Sequence, residues 1–208
     1  MSHSYDRYLK EILIDEQTLQ QRVRELGEQI AQDYADSPDL LLICILKGGV
    51  KFLTDIMTHI DVPHAIDFIA ASSYGAGVRA SSGNVRIVMD VHAMIAKRDV
   101  LIVEDIIDSG YTLRFVMDTL LARKPRSLRL CTLLDKSSRR EVDITIDYVG
   151  FTIEDKFVFG YGLDLDERFR NLPFIGVVNE RALQDDAEAQ RTQTRPTVQE
   201  REQGDEDG

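Results

Sequence analysis

Short apolar runs that alternate with segments of helical spacing constrain the fold of this chain more than any other feature. The runs are LLLICIL at residues 40–46, DVLIVED at 99–105 and SLRLCTLLDK at 127–136. Short apolar runs of this kind are typical of strands that are covered on both faces. Apolar residues spaced three and four apart predict helices at 50–60 and 112–124. Strands that alternate with such helices predict an α/β fold with a mostly parallel central sheet flanked by helices.

Further segments extend this pattern on either side of the apolar runs. Apolar spacing predicts a helix at 15–35, and strands are predicted at 66–74, 84–91 and 144–153. The segment 75–83 is rich in Gly, Ser and Ala, and we expect it to form a mobile loop.

Length and composition favour one globular domain followed by an extension. The chain has 208 residues, of which 43% are hydrophobic, and this is enough for one substantial core. Residues 181–208 are poor in apolar side chains and carry four arginines and eight acidic residues. We expect 1–180 to fold and 181–208 to be an acidic, disordered tail. Deleting 184–208 should then change the free energy of unfolding by no more than about 0.5 kcal/mol.

Charge and cysteine content exclude several classes of protein. The net charge of −11 argues against a nucleic-acid binder, because such proteins need a basic face. No apolar run approaches the roughly 18 residues of a membrane span, and no signal-peptide pattern opens the sequence. Cys44 and Cys131 lie in apolar runs without CxxC spacing, so we expect reduced core thiols. These features predict a cytoplasmic protein that binds neither nucleic acid nor membranes.

The segment VLIVEDIIDSGYT, residues 100–112, carries the most informative polar residues of the chain. Glu104 and Asp105 end a buried strand, at the edge where open α/β sheets bind ligands. The DSGYT turn leads into a helix, and its backbone N–H groups can bind a phosphate. The carboxylates must then face something else, such as ribose hydroxyls or Mg²⁺. The alternative is that they are surface acids at a strand end and that Asp108 caps the helix.

This segment resembles the phosphoribosyl pyrophosphate (PRPP) signature of type I phosphoribosyltransferases. The motif EDIIDSG is similar to the corresponding motif of the hypoxanthine-guanine phosphoribosyltransferases. Four more motifs follow the family order: LLICILKGGVKFLTDI, SSYG, LLDK and DKFVFGYGLDLDERFRNLPFIGVV. The resemblance covers roughly residues 9–180. It implies the type I phosphoribosyltransferase fold, with a small hood formed by about 1–14 and 150–180.

The resemblance also implies a reaction, its substrates and a cofactor. A purine nitrogen displaces pyrophosphate from C1 of the ribose of PRPP. With hypoxanthine, and with guanine, the products are IMP and GMP, as in purine salvage. The implied cofactor is Mg²⁺, and the implied assembly is a homodimer or homotetramer.

The resemblance assigns residues to this reaction in four groups. Asp108 is the acid/base residue near purine N7. The groups for ribose and 5′-phosphate are Glu104, Asp105, Ser109, Gly110, Tyr111 and Thr112. The groups for pyrophosphate are Lys47, Gly48, Arg170, Ser73 and Tyr74, with a cis peptide between Leu46 and Lys47. The purine residues are Lys136, Phe157 and Val158. The Mg²⁺ ligands are Glu104, Asp105 and Asp164.

The preference for a 6-oxopurine depends on Lys136. Its ammonium group donates hydrogen bonds and cannot accept them, so it suits a 6-oxo group and not the 6-amino group of adenine. Two alternatives remain open at this point. One is a phosphoribosyltransferase that prefers xanthine, and the other is a regulatory protein that senses PRPP without catalysis.

Overall fold

The computed structural model describes residues 3–73 and 85–193. The strands are β1 (Leu9–Ile14), β2 (Leu40–Ile45), β3 (His64–Ser73), β4 (Val85–Met89), β5 (Asp99–Ile107), β6 (Ser127–Asp135), β7 (Tyr148–Thr152), β8 (Val158–Phe159) and β9 (Ile175–Val178). The α-helices are α1 (Glu16–Asp33), α2 (Gly49–Ile56), α3 (Tyr111–Leu121) and α4 (Glu180–Gln193). Turns of 3-10 helix lie at Asp6–Tyr8, Met57–His59 and Ser137–Arg139.

The central sheet has six strands in the order β4-β3-β2-β5-β6-β7. All neighbouring pairs are parallel except β3 and β4, which are antiparallel. Helices α1 and α2 pack on one face and α3 on the other, in two separate apolar clusters. Strand β2 shows why its run is continuously apolar, because alternate side chains such as Leu42 and Ile43 enter opposite clusters. The predicted α/β architecture is confirmed.

A second, three-stranded antiparallel sheet joins the two ends of the domain, in the order β1-β9-β8. We call this sheet and the loop between β8 and β9 the hood. Its apolar cluster is built from Phe159, Leu165, Leu172, Phe174 and Val178. The hood matters for function because its loop reaches the carboxyl edge of the central sheet.

Two predicted elements end or begin elsewhere in the structure. The helix predicted at 50–60 is α-helical only to Ile56 and finishes in a 3-10 turn. The strand predicted at 144–153 pairs with β6 only from Tyr148 onward. Ile144 and Ile146 precede it and pack against the α3-side cluster without joining the ladder. The apolar run at 144–153 therefore predicted burial correctly, but it predicted strand pairing correctly only for its second half.

Helix α4 corrects the expectation that 181–208 form a disordered tail. The segment Glu180–Gln193 is helical, and residues 194–208 lie outside the described part of the chain. Ala182 is buried, and Leu183 packs against the apolar cluster of the hood. For 181–193 the prediction is wrong, because it counted apolar residues and neglected helix propensity, which is high for Ala, Gln, Glu and Arg; for 194–208 it stays a prediction.

Asp186 fixes α4 to the N-terminal segment, and its loss should destabilise the protein. It accepts hydrogen bonds from the guanidinium of Arg7 and from the hydroxyl of Tyr8, the latter at 2.9 Å. We expect Asp186→Asn to lower the free energy of unfolding by about 0.5–2 kcal/mol, as for a charge-assisted bond. Deleting 184–208 removes these bonds as well, so it should destabilise the protein instead of being neutral.

Urea unfolding measures this effect, with Asp185→Asn as the control because Asp185 is an exposed neighbour on the same helix. Equal stability of the two variants would contradict the attachment of α4 to the N-terminal segment through Asp186.

Two further expectations from the sequence concern cysteines and membranes. Cys44 and Cys131 are both free and buried in the core, as predicted. Within residues 3–73 and 85–193, no helix combines the length and the apolar character needed to span a bilayer.

Candidate active site

Strand β5 delivers the acidic residues to the carboxyl edge of the central sheet. Glu104 and Asp105 lie near its end, and the turn that follows carries Asp108. Gly110 caps α3 with a left-handed φ of 90°, a conformation that glycine adopts without steric cost. The first N–H groups of α3 have no partners within the helix. The turn therefore presents backbone donors beside three carboxylates.

Glu104 and Asp105 are partly buried carboxylates with few donors around them. Oε2 of Glu104 is buried, and no residue within 3–73 and 85–193 makes a hydrogen bond to it. Burial, and to a lesser extent Asp105, raises the pKa of Glu104 well above its usual range. Burial raises the pKa of Asp105 to about 6, although the N–H of Ile106 donates to its Oδ1 at 2.9 Å. Two negative charges at this place therefore need a further partner.

Asp105 should make the stability of the metal-free protein depend on pH. An acid whose pKa is higher in the folded state binds more protons there, so stability falls as pH rises between the two values. For Asp105 the window runs from about 4, as in an unfolded chain, to about 6. We expect the free energy of unfolding, measured in chelator, to fall as the pH rises across this window. In Asp105→Asn this decrease should be smaller.

Urea unfolding between pH 4 and 7 tests this expectation. Asp118→Asn is the control, because Asp118 is exposed on α3. If the free energy of unfolding of Asp105→Asn changed with pH in parallel with that of the unmodified protein, burial would not raise the pKa of Asp105.

The loop after β2 brings Lys47 and Gly48 to the same edge. The peptide between Leu46 and Lys47 is cis, as the resemblance implies. A Cβ atom at position 48 would overlap Oδ2 of Asp105. A Cβ atom at Gly162, where φ is +98°, would overlap the carbonyl oxygen of Gly48. The absence of these two side chains therefore allows strand β5, the loop after β2 and the hood to meet.

The hood loop adds a cluster of charges beside this meeting point. Nη1 of Arg170 donates to the carbonyl of Gly162 at 2.9 Å, and Nη2 lies 2.9 Å from Oδ1 of Asp164. Nζ of Lys47 lies 2.8 Å from Oε2 of Glu167. Nη2 of Arg170 lies 3.3 Å from the other oxygen of Glu167. Two cations that the resemblance assigns to pyrophosphate thus share one carboxylate.

A cavity of about 290 Å³ lies between the end of β5 and the hood, close to the roughly 300 Å³ at which ligand pockets begin. Its walls include six residues that the sequence singled out: Asp105, Asp108, Lys136, Phe157, Val158 and Asp164. These residues come from separate motifs of the sequence. Their convergence on one cavity makes it the candidate active site.

Lys136 and Phe157, two of the residues that the resemblance assigns to the purine, both line the cavity. Lys136 is only 7% exposed, and its Nζ lies 3.7 Å from Oδ1 of Asp155. Phe157 is 49% exposed, although its carbonyl is fixed by the N–H of Val178 at 2.8 Å. A half-exposed aromatic ring on a fixed backbone offers a stacking surface, and Lys136 offers a donor in a poorly solvated place.

Arg139 is a neighbour of Asp108 that the sequence prediction missed. Its Nε lies 3.1 Å from Oδ1 of Asp108, and its Nη1 lies 3.6 Å from Oδ2 of Asp155. The N–H of Glu141 donates to the carbonyl of Ser109 at 3.0 Å. The segment after β6 therefore covers the turn after β5 and places a guanidinium beside the exposed carboxylate.

The structure does not bring every predicted residue to the cavity. Ser73 ends β3, where its backbone pairs with Val85. Tyr74 and the predicted mobile loop at 75–83 lie outside the described residues. Their assignment to pyrophosphate stays a prediction.

The residues that sequence reasoning missed are Arg139, Asp155, Gly162 and Glu167. Arg139 follows the predicted strand 127–136 and Asp155 follows the predicted strand 144–153, each within three positions, and charge alone does not separate them from surface residues. Gly162 belongs to the repeated glycines of FGYGL, a pattern that indicates positive φ.

Comparison with known proteins agrees with this geometry. The family model of the phosphoribosyl transferase domain matches residues 10–168. A hypoxanthine phosphoribosyltransferase of Salmonella typhimurium is 47% identical over 173 residues, which cover 83% of this chain and 97% of the relative. The chain belongs to the phosphoribosyltransferase family.

Two further relatives narrow the resemblance within that family. A hypoxanthine-guanine phosphoribosyltransferase of Mycobacterium tuberculosis is 48% identical over 185 residues, covering 86% of this chain and 91% of the relative. The crystal structure of a hypoxanthine phosphoribosyltransferase from Staphylococcus aureus superposes with a TM-score of 0.83. It is 44% identical and covers 87% of this chain and 97% of its own. The relatives are therefore transferases named for 6-oxopurines.

Proposed function

We propose that this protein transfers the phosphoribosyl group of PRPP to hypoxanthine, and to guanine, forming IMP or GMP and pyrophosphate. The observation that carries the proposal is the cavity in which Asp108 and Lys136 face a common space beside the start of α3. The names of the relatives support the choice of base.

The chemical step exchanges one bond at C1 of the ribose for another. The bond from C1 to a pyrophosphate oxygen breaks, a bond from C1 to a purine nitrogen forms, and the purine gives up a proton. Asp108 accepts or stabilises that proton, which a half-exposed carboxylate at the cavity wall can do. The remaining residues position the substrates and stabilise charge that develops as the bond breaks.

Each part of PRPP has a matching group of residues. The N–H groups of the turn at Ser109, Gly110, Tyr111 and Thr112 hold the 5′-phosphate at the start of α3. The carboxylates of Glu104 and Asp105 accept hydrogen bonds from the ribose hydroxyls. The pyrophosphate group is held by Lys47, Gly48 and Arg170, together with Ser73 and Tyr74.

The carboxylates of this site fit a Mg²⁺ ion. Mg²⁺ prefers hard oxygen ligands, and the buried, unpartnered oxygen of Glu104 beside Asp105 is a group that a cation would stabilise. Within residues 3–73 and 85–193 no three acidic, His or Cys side chains converge as a complete metal site, so Glu104, Asp105 and Asp164 would hold the ion only together with oxygens of the substrate. When bound, the ion offsets the negative charge of PRPP and of the leaving pyrophosphate.

The purine contacts three residues: Lys136, which directly follows β6, and Phe157 and Val158 at the start of β8. Lys136 donates to the 6-oxo group, Phe157 stacks on the ring, and backbone groups at Val158 contact the base edge. Adenine presents a donor at position 6 and leaves the poorly solvated ammonium of Lys136 without an acceptor. This mismatch should exclude adenine.

A base panel tests the proposal. Radiolabelled hypoxanthine, guanine, xanthine and adenine are each incubated with PRPP and Mg²⁺ under identical conditions. We expect turnover of hypoxanthine and guanine and none of adenine. A dominant activity with xanthine would favour the xanthine-preferring alternative. PRPP binding without turnover of any base would favour the sensing alternative.

We propose further that the protein acts in the cytoplasm as a homodimer or homotetramer. Large apolar side chains that remain exposed in the single chain, such as Val88 and Met94, support association of this kind. Light scattering coupled to size-exclusion chromatography measures the mass of the assembly directly.

A further inference from the structure

Glu167 lies between the two cations that the proposed function assigns to pyrophosphate. Its Oε2 is 2.8 Å from Nζ of Lys47, and its Oε1 is 3.3 Å from Nη2 of Arg170. A carboxylate that bridges two cations makes the same contacts that a pyrophosphate oxygen would make.

The position of Glu167 follows from the turn in which it lies. Its N–H donates to Oδ2 of Asp164 at 2.9 Å. Its φ is +61°, an uncommon conformation for a residue other than glycine. Asp164 also pairs with Arg170 at 2.9 Å, so one side chain fixes both the Glu167 backbone and the Arg170 guanidinium. The turn therefore directs this carboxylate toward the cations.

We infer that Glu167 is an internal competitor of pyrophosphate. In the free protein the carboxylate of Glu167 pairs with Lys47 and Arg170, and it releases both cations when PRPP or pyrophosphate binds. This inference rests on the proposed function of the same site. A diphosphate and a carboxylate cannot both take the same N–H donors, and their negative charges repel each other. Glu167 should therefore weaken the binding of the anion and speed the release of pyrophosphate after the reaction.

The test compares two isosteric substitutions in the same turn. Glu167→Gln removes the charge, and Asp166→Asn is the matched control. Asp166 also has a positive φ, of 54°, but it pairs with Arg168 at 2.7 Å, outside the pyrophosphate cluster. Both substitutions remove one negative charge and keep the side-chain shape. A difference between them reports on the contact with Lys47 and Arg170 and not on net charge.

The measurement is calorimetric binding of inorganic pyrophosphate at fixed Mg²⁺, at low and at high salt, together with steady-state kinetics. We expect Glu167→Gln to bind pyrophosphate about three- to tenfold more tightly than the unmodified protein, since exposed ion pairs contribute modestly. The gain should shrink at high salt, because salt screens exposed charges. The KM for PRPP should fall in parallel, and the KM for hypoxanthine should not change.

Two results would overturn the inference, and they can be told apart. If Glu167→Gln binds pyrophosphate as Asp166→Asn does, or more weakly, the carboxylate does not compete and the proposed function is untouched. If neither variant nor the unmodified protein binds pyrophosphate, the proposed function fails and this inference fails with it.

Discussion

Replacing Asp108 with Asn should lower kcat by on the order of 10²–10⁴, the usual contribution of a positioned acid/base group. The amide keeps the shape of the side chain and cannot take the purine proton. The fold should survive, because Asp108 is half-exposed and its ion pair with Arg139 is of the kind that contributes at most about 1 kcal/mol. Single-turnover kinetics under saturating PRPP measure the loss at the chemical step.

The chain offers a close control for this substitution in Asp118→Asn. Asp118 also pairs with an arginine Nε, that of Arg114, at 3.1 Å, and it is similarly exposed. The control loses an equivalent ion pair away from the cavity and should keep its kcat. If the kcat values of the two variants agreed within twofold, Asp108 would have no catalytic role. Another group would then have to act as the acid/base residue of the cavity.

Gly48→Ala should reduce kcat/KM for PRPP by about 10²-fold or more, because moving a catalytic group by about 1 Å costs that much. The added methyl would overlap Oδ2 of Asp105. The φ of Gly48 is −61°, which suits alanine, so the effect is steric and not a strain of the backbone. Either the carboxylate or the loop that carries Lys47 must shift, and both belong to the proposed PRPP site.

Thermal unfolding separates this displacement from a loss of fold. The control is Thr54→Ala on α2, an exposed residue whose hydroxyl donates to the carbonyl of Lys51. We expect both variants to remain folded and only Gly48→Ala to lose activity. Normal activity of Gly48→Ala would mean that the contact between Gly48 and Asp105 does not exist in solution.

The central sheet was predictable because each of its buried strands can be recognised from its own residues. Buried runs such as residues 40–46 and 99–105 are short, apolar and followed by helical spacing, and the structure pairs them as neighbouring parallel strands. The acidic end of the second run was informative for a related reason. Carboxylates in place of apolar residues at a strand end have no role in a core, so they point to a ligand.

Residues that depend on contacts between distant segments were less predictable. Glu167 lies 120 positions from Lys47, and nothing in its own neighbourhood distinguishes it from other surface acids. Arg139 reaches Asp108 only because the segment after β6 folds over the turn after β5. Helix α4 differs in part, because its helix propensity was a local signal and only its contacts with Arg7 and Tyr8, at the opposite end of the chain, were not readable from the sequence.

The formation of IMP from hypoxanthine tests the central claim most directly. Purified protein is incubated with hypoxanthine, PRPP and Mg²⁺, and IMP and pyrophosphate are both quantified, with a parallel sample in excess chelator. The account predicts one IMP and one pyrophosphate for each hypoxanthine consumed, and no product in chelator. Full activity in chelator would contradict the role of the ion beside Glu104 and Asp105. Binding of PRPP without formation of IMP would contradict the catalytic function itself.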